Sequence, residues 1–261
     1  MSDLPAHNLA DVRLADLFEG TGCPVCASRT RAIDRFLESW LWEGVNDVGI
    51  RRELDASRGL CPIHVGELVA SDRRHSGSML GSAILLDAML RVRRAEIEGV
   101  GRARGARARG RALAVAARAP DCLVCRVGHE AEAAAVDSIV RHVDDADWAE
   151  AAAQASFCLT HLGALMRSAG GGPAWRAVEG QQLERIATSH RTIGAFIAHS
   201  AYDTRHLRTP EEVASLRNVA RLLGASMGHE APAGHGDPRS RQGASTDGDR
   251  TTVASEKGEE G

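Results

Sequence analysis

Apolar side chains recur along most of this chain at the spacing of amphipathic α-helices. The clearest case follows Cys26, where one buried helix face with the i, i+3, i+4, i+7, i+8 pattern is formed by Ile33, Phe36, Leu37, Trp40 and Leu41. Similar patterns predict further helices over residues 11–19, 48–57, 62–70, 78–98, 148–155, 174–200 and 209–223. The pattern therefore predicts an all-α protein.

Capping residues support two of these helix boundaries. Asn46 or Asp47 is predicted to cap the helix that begins at residue 48, since a short side-chain acceptor satisfies free amide groups of the first turn. Thr209 is predicted to cap the last helix, with Pro210 at its first position and Glu212 completing a capping box. The aromatic content of only 3% also favours packed helices, because strands prefer aromatic and β-branched residues.

The order of the elements repeats, which predicts two pseudo-equivalent helical halves. The predicted organisation is a lead-in over residues 1–22, a first half over 23–100, an Arg/Gly/Ala-rich linker over 101–120, a second half over 121–227 and a disordered tail over 228–261. The alanine-rich second part of the linker is compatible with a helix. The tail has almost nothing to bury, so burial cannot offset the entropy that ordering would cost.

Cysteine and histidine residues stand at equivalent positions in both halves. Each half holds one CxxC motif followed by one CxxH motif, and all 6 cysteines of the chain are used. The residues of these motifs are Cys23, Cys26, Cys61, His64, Cys122, Cys125, Cys158 and His161. A two-residue gap lets both side chains of a motif reach one ion, and three thiolates with one imidazole are a standard set for structural zinc. The duplication therefore predicts two metal sites, with zinc as the expected ion.

Two pairings of the four motifs are compatible with this spacing. In the simpler one each half closes its own site, so that Cys23 and Cys26 bind with Cys61 and His64. In the crossed one each CxxC motif closes on the CxxH motif of the other half, which two-fold pseudosymmetry also allows. Iron–sulfur ligation is the alternative to zinc, and three disulfides are the alternative to metal.

Two groups of polar residues outside the motifs are candidates for a ligand pocket or for a layer behind the metal ligands. The first comprises Glu43, Asn46, Asp47 and Arg51, and the second comprises Tyr202, Asp203 and Arg205. Helix capping with a surface ion pair is the competing interpretation of the first group, and a polar helix end is that of the second. No residue is predicted to be catalytic.

Several segments together go beyond a generic zinc-binding motif. They are Gly22-Cys23-Pro24-Val25-Cys26, Glu43-Gly44-Val45-Asn46-Asp47 and Ala56-Ser57-Arg58-Gly59-Leu60-Cys61-Pro62-Ile63-His64. With them, the chain resembles an uncharacterised bacterial and archaeal family, classed as a domain of unknown function, over roughly residues 10–225. That family is likewise built from CPxC, E-x-V-N-D and S-x-G-F-C-x-x-H segments and a second cysteine-rich half. The resemblance implies the fold and metal binding, and it implies no activity.

Closed metal sites favour a non-enzymatic role. Four protein ligands leave no position for water, so each ion is expected to be structural, and we predict a structural or interaction module for a protein partner. One alternative is nucleic-acid association through the linker arginines Arg102, Arg104, Arg107, Arg109, Arg111 and Arg118, although the linker lacks aromatic residues that could stack on bases. The other alternative is a redox or metal-dependent enzyme or sensor that uses a labile thiol.

Charge and hydropathy restrict location and partners further. The net charge is −3, and the tail from Gly228 carries seven acids against four bases, which leaves a nearly neutral body. A neutral body is not typical of proteins that neutralise many phosphates. The chain has no apolar run of about 18 residues, and its first residues lack a signal-peptide pattern. We therefore expect a cytoplasmic protein without membrane contact.

Overall fold

Eleven α-helices, with no β-strand, build residues 4–225, the part of the chain that the computed structural model describes. Their bounds are α1 Leu9–Phe18, α2 Pro24–Ser39, α3 Val48–Ser57, α4 Pro62–His75, α5 Leu80–Arg102, α6 Ala106–Ala117, α7 Leu123–His142, α8 Ala146–Gln154, α9 Leu159–Ser168, α10 Pro173–Ala198 and α11 Pro210–Leu222. A π-helical turn, Trp40–Gly44, follows α2, and a 3-10 turn, Arg205–Leu207, precedes α11. The predicted all-α fold is confirmed, whereas the predicted disordered tail lies outside the described residues. None of the described helices is long and apolar enough to cross a bilayer.

Helices α2 and α7 pack against each other in opposite directions. Arg29 of α2 lies opposite Glu132 of α7, with 3.0 Å between Arg29 Nη1 and Glu132 Oε1, while Ile33 lies opposite Gly128. Residue numbers thus rise along one helix as they fall along the other. Gly128 permits the close approach, since a Cβ atom there would lie 3.1 Å from Ile33 Cδ1 and 3.2 Å from Arg29 Nε.

Two clusters of buried side chains lie along this helix pair. The first joins the start of α2 and the second half of α7 to α1, α8, α9 and α10, around Trp148, Phe157 and Trp175. The second joins the rest of α2 and the start of α7 to α3, α4 and α5, around Trp40 and Leu85. Burying each such side chain contributes about 1.5–3 kcal/mol. Each core therefore contains residues from both predicted halves.

Both predicted N-caps, Asp47 and Thr209, are confirmed, whereas the carboxylate of Glu212 does not complete the predicted capping box and lies 2.9 Å from His199 Nδ1 instead. Asp47 Oδ1 accepts the backbone N–H of Ile50 at 2.8 Å at the start of α3. Thr209 Oγ1 accepts the backbone N–H of Glu212 at 3.2 Å at the start of α11. In each case the side chain satisfies an amide group that has no partner within the helix, which stabilises the helix by about 1 kcal/mol.

Helix α4 is longer than the sequence pattern predicts. The pattern predicts a loop over residues 71–77, whereas α4 continues to His75. Asp72 explains the difference, because its Oδ2 accepts the backbone N–H and the hydroxyl group of Ser82 at 2.8 and 2.7 Å. This buried carboxylate joins α4 to the first turn of α5, so its polarity does not mark a loop.

Residues 101–120, predicted as a linker, are largely helical. They contain the last residues of α5 and the whole of α6, Ala106–Ala117. Arg58 holds the end of α6, since its Nη1 donates to the carbonyl of Arg118 at 2.8 Å and its Nη2 to that of Val115 at 2.6 Å. A cationic group at a helix C-terminus also interacts favourably with the helix dipole. The segment therefore packs onto the preceding helices.

Candidate metal centres

Four helix N-termini carry all the cysteine and histidine residues of the predicted sites. Cys23, Cys61, Cys122 and Cys158 occupy the capping positions of α2, α4, α7 and α9. The second residue of each motif lies three positions later, in the first helical turn, so both side chains of a motif project to the same side. The positive end of the helix dipole favours a thiolate at this position.

The first cluster, which we call centre 1, joins the start of α2 to the start of α9. It consists of Cys23, Cys26, Cys158 and His161. His161 Nδ1 lies 3.5 Å from Cys23 Sγ, 3.2 Å from Cys26 Sγ and 3.1 Å from Cys158 Sγ. The Sγ atoms of Cys26 and Cys158 are 3.7 Å apart. The four side chains converge, and they are buried or half-buried.

The second cluster, centre 2, joins the start of α4 to the start of α7. It consists of Cys61, His64, Cys122 and Cys125. His64 Nδ1 lies 3.2 Å from Cys61 Sγ and 3.3 Å from the Sγ atoms of both Cys122 and Cys125. The distance between the Sγ atoms of Cys61 and Cys125 is 3.7 Å, equal to the corresponding distance in centre 1.

The pairing of motifs is crossed, and the simpler pairing within each half is wrong. Each CxxC motif meets the CxxH motif of the other half, so that Cys26 approaches Cys158 and Cys61 approaches Cys125. The two CxxC helices, α2 and α7, run antiparallel, and each starts beside the core that contains residues of the other half. Packing of these helices therefore sets the pairing, and motif spacing does not.

The distances between ligand atoms fit one tetrahedral ion at each centre. Zinc bonds of about 2.3 Å to sulfur and 2.0–2.1 Å to nitrogen require about 3.8 Å between two sulfurs and about 3.6 Å between sulfur and nitrogen. The observed separations, 3.1–3.7 Å for these pairs, lie close to those values. A disulfide would require about 2.05 Å between sulfurs, and all six cysteines are free, so the disulfide alternative is wrong. Both centres could hold a metal ion.

Carboxylates lie behind both histidine ligands. His161 Nε2 is 3.2 Å from Glu132 Oε1, and the same carboxylate oxygen is 3.0 Å from Arg29 Nη1. His64 Nε2 is 3.5 Å from Glu67 Oε2. In both rings Nδ1 faces the sulfurs and Nε2 faces a carboxylate, an arrangement that fixes the tautomer and orientation of a metal-binding imidazole.

Without a cation, the crowded sulfurs do not ionise together: hydrogen bonds from Cys23 and Cys26 lower the pKa of Cys158, whereas the pKa values of Cys26 and Cys125 are raised. Burial and the neighbouring Cys122 thiol raise the pKa of Cys125 to about 12. Contact with Cys158 and Cys23 raises the pKa of Cys26, and the Cys158 and Cys23 sulfurs raise the pKa of His161 to about 10. A divalent ion reverses these preferences because it stabilises several thiolates at once, so metal binding releases protons from both centres.

The first group of polar candidates does not join either cluster. Glu43 and Asn46 are exposed on the segment between α2 and α3, and Asp47 caps α3. Arg51, on the first turn of α3, is half-buried, and its Nε atom is buried with no hydrogen-bond partner among residues 4–225. The hydrogen bond of Asp47 is therefore a helix cap, in agreement with the competing interpretation of this group.

The second group of polar candidates lies at the turn between α10 and α11. Tyr202 is 100% exposed, and Asp203 and Arg205 are exposed as well. The hydrogen bonds of this region form beside them, where His199 Nδ1 lies 2.9 Å from Glu212 Oε2 and Arg208 Nε donates to the carbonyl of His199 at 3.0 Å. The predicted residues thus stand apart from both centres and point to solvent.

A third group of ligand-type side chains, His7, His142 and Asp145, has a geometry unsuited to metal. The rings of His7 and His142 are stacked, with centroids 5.0 Å apart and planes inclined by 16°. A ring nitrogen binds an ion in the plane of its ring, and nearly parallel planes do not converge on one point. His142 lies instead between Asp11 and Asp145, with 3.3 Å from each ring nitrogen to a carboxylate oxygen. This group ties the N-terminal segment to α7.

The sequence patterns do not identify Arg29, Glu67 and Glu132 as residues that lie behind the histidine ligands. Glu67 follows His64 by three residues on one helix, so helical spacing could have identified it. Glu132 reaches His161 only through the packing of α7 against α2 and α9, and no local spacing indicates it. His129 and Glu130, which stand nearer to the second CxxC motif, are both exposed.

Comparison with known proteins gives a family and no activity. Residues 6–171, which contain every ligand of both centres, match the model of a family described as "Family of unknown function (DUF6062)". The uncharacterized 23.9 kDa protein in the xynA 3' region of Caldicellulosiruptor sp. (strain Rt8B.4) is 34% identical over 74 residues, which are 28% of this chain. The match covers about a third of that relative's length (34%). No solved structure matches the chain.

Proposed function

The chain belongs to the family of unknown function DUF6062, and we propose that it is a structural or interaction module whose helices are held together by two zinc ions. The crossed pairing carries this proposal. Each cluster supplies four converging protein ligands, a set that closes the shell of a tetrahedral ion and leaves no coordination position for substrate. An ion in such a shell acts on the fold and not as a Lewis acid.

The crossed pairing also determines how much chain each ion would constrain. Cys26 and Cys158 are 132 positions apart, and Cys61 and Cys125 are 64 positions apart. An ion at each centre joins a CxxC helix to a helix from the opposite part of the sequence, and the two closed loops overlap. Metal binding then contributes directly to the free energy of folding, as it does in small zinc domains.

Zinc fits the ligand set better than an iron–sulfur cluster. Thiolate and imidazole ligands suit zinc, and the ligand atoms of each centre all lie within 4.8 Å of one another. A cluster places several iron and sulfide atoms among its ligands and would hold them farther apart than the edges of a single-ion tetrahedron. Free thiolates need a reducing compartment, which supports a cytoplasmic location.

A protein partner is the expected binding target of the module. Several large apolar side chains of α10 and α11 are well exposed, among them Leu183 at 66%, Ile197 at 67% and Val213 at 54%. Isolated apolar residues are common on protein surfaces, but α10 packs through Trp175 and Val178 into the core that contains Cys23 and Cys158. An ion at centre 1 would therefore help to hold α10 in a constant arrangement, which lowers the entropy cost of association.

Metal analysis with chelation tests the proposal. We expect about two zinc ions per chain in protein purified without added metal, and loss of helical circular dichroism when a strong chelator removes them. Restoring zinc should restore the signal, whereas magnesium, which prefers oxygen ligands, should not. A protein that remains fully folded after complete removal of metal would contradict the structural role.

Nucleic-acid association through α6 and the residues just before it is a second candidate, supported by the exposure of the arginines there. Arg104, Arg107, Arg109 and Arg111 are exposed, and within residues 4–225 none of them lies within ion-pair distance of an acidic side chain. Helix α6 itself contains no Asp or Glu. Such a concentration of uncompensated cations favours an anionic partner through counterion release.

Replacing these four arginines with glutamine tests the second candidate. We expect salt-dependent binding of double-stranded DNA or RNA to be lost, together with the salt dependence itself. A matched variant with four exposed arginines outside α6 replaced, Arg13, Arg31, Arg35 and Arg176, should bind as the wild type does. Equal losses in both variants would indicate a general effect of charge and would remove α6 as the interface.

A further inference from the structure

A cavity of about 540 Å³ lies between α10, α11 and the segments that lead to two ligands of centre 1. Thr21 and Cys23 form one wall, Ser156 and Phe157 form another, and residues of α10 and α11 complete it. Its size falls within the range of about 300–1,000 Å³ that is typical of small-molecule sites. Because Cys23 belongs to centre 1, a metal ion there would hold this wall in place.

Most of the residues that line the cavity have polar side chains, and two of them are arginines. Hydroxyl and amide side chains predominate, namely Thr21, Ser156, Gln181, Gln182, Thr188, Ser189 and Asn218. Two guanidinium groups, those of Arg185 and Arg221, also line it. The described residues of the lining include one acidic residue, Glu184. Its carboxylate accepts a hydrogen bond from Arg191 Nη2 at 2.9 Å. The charge of Glu184 is therefore compensated by Arg191, which does not line the cavity, and the positive charge of Arg185 is left without a neutralising carboxylate among the described residues.

Arg185 is the central cation of this site. Its guanidinium is fixed by donation to Ser156 Oγ at 3.2 Å and to the carbonyl oxygens of Ala153 and Gln154. Within residues 4–225 it makes no ion pair, and its Nε atom is buried without a hydrogen-bond partner. Removing a charge from water without a counter-charge is costly, and an anion in the cavity would offset that cost.

We propose that the cavity beside Arg185 binds a small polar molecule that carries a carboxylate or phosphate group. The guanidinium recognises the oxyanion, because planar N–H donors match the geometry of both groups. The surrounding amide and hydroxyl side chains provide the alternating donors and acceptors that a polar ligand body requires. This anion site is a function beyond the structural role proposed above. Its test measures anion binding, so failure of this proposal is distinguishable from failure of the zinc proposal, which metal analysis tests.

Calorimetric titration of the full-length, metal-loaded protein tests this site, with inorganic phosphate and succinate as separate probes in a buffer without other oxyanions. We expect saturable binding of at least one probe with about one site per chain. Comparing the phosphate titration with the succinate titration identifies the preferred anion. Arg185→Gln should weaken binding by at least about tenfold. The matched control is Arg176→Gln, which removes an exposed arginine from the same helix outside the cavity.

A second pair of variants covers the case in which Arg185→Gln does not fold. Asn218→Glu places a negative charge at an exposed position of the lining and should abolish anion binding, whereas Val213→Glu adds the same charge at an exposed position of α11 outside the lining and should not. Absence of binding for both probes would overturn the proposal. So would unchanged binding by folded Arg185→Gln or by Asn218→Glu.

Discussion

His161 and Glu132 form a contact between a metal ligand and a carboxylate on a different helix. His161 Nε2 of α9 lies 3.2 Å from Glu132 Oε1 of α7, and Arg29 of α2 holds the same oxygen at 3.0 Å. Because His161 Nδ1 faces the three sulfurs of centre 1, this contact selects the tautomer that leaves Nδ1 free to bind. Three helices thus orient one ligand.

Glu132→Ala should weaken metal binding at centre 1. Loss of the carboxylate frees the imidazole to rotate and lowers its basicity, and the expected decrease in affinity is about 10–100-fold. Centre 2 should keep its affinity, since Glu67 performs this role there. Competition with a chromophoric chelator resolves the two affinities. Glu130→Ala, an exposed change on the same helix, is the control, and an equal decrease at both centres would contradict the orienting role.

Local sequence patterns predict most of the helices and the residues of both clusters, although α4 continues through the predicted loop and α6 lies in the predicted linker. The range predicted for α3 agrees with the structure, Val48–Ser57, because capping by Asp47 and apolar spacing are local properties. The CxxC and CxxH motifs similarly identify pairs of ligands on one helical turn. Which motifs form one cluster depends on the antiparallel packing of α2 and α7, and residues that meet in this packing, such as Ile33 and Gly128, are far apart in sequence.

Double serine variants should distinguish the two pairings by metal content. Cys26→Ser with Cys158→Ser removes two ligands from one centre, so the protein should retain about one zinc ion per chain. Cys26→Ser with Cys61→Ser removes one ligand from each centre, so both sites lose their closed shell and the content should fall toward zero after a wash with a weak chelator. Elemental analysis gives both values.

Pairing within each half would reverse this result. The variant with Cys26 and Cys61 replaced would then keep about one zinc ion, and the variant with Cys26 and Cys158 replaced would lose both. A further double variant, Cys122→Ser with Cys61→Ser, is the symmetric control for centre 2 and should also retain about one ion. If both variants that disrupt a single centre retain about one zinc ion, unfolding does not explain the loss of zinc from the variant with Cys26 and Cys61 replaced.

Asp72 should contribute stability that depends on pH. Burial raises its pKa, but hydrogen bonds from Ser76 and Ser82 outweigh burial, so the pKa lies below the ordinary value of 3.8. A carboxylate whose pKa is lower in the folded protein stabilises the fold above its unfolded pKa, and this contribution disappears as the pH falls through the folded pKa. Asp72→Asn should therefore cost about 1–3 kcal/mol at neutral pH.

The difference between wild type and Asp72→Asn should stay constant from pH 7 to about pH 5 and narrow below about pH 4. Urea unfolding of both proteins at each pH measures it, and acid release of metal affects the two proteins alike. Asp87→Asn is the control. Asp87 has a side-chain exposure of 70%, and within residues 4–225 its one ion pair is with Arg91 on the same helix face, so its effect should be near zero throughout. A penalty for Asp72→Asn that grows on acidification would contradict the assignment.

Two glycine substitutions should have effects of opposite sign. Gly44 lies in the π-helical turn after α2, and a Cβ atom there would lie 2.8 Å from Trp40 Cδ1 and 2.9 Å from Ile50 Cδ1. Trp40 is only 1% exposed and cannot move aside, so Gly44→Ala should destabilise the protein by about 1–3 kcal/mol. At Gly99, inside α5, the added Cβ would meet no described atom within 4 Å other than the nearby backbone of its own helix, and Gly99→Ala should stabilise by about 0.5–1 kcal/mol through helix propensity. Chemical unfolding of the zinc-loaded variants measures both, and a tolerated alanine at residue 44 would mean that Trp40 is not held as tightly as its burial indicates.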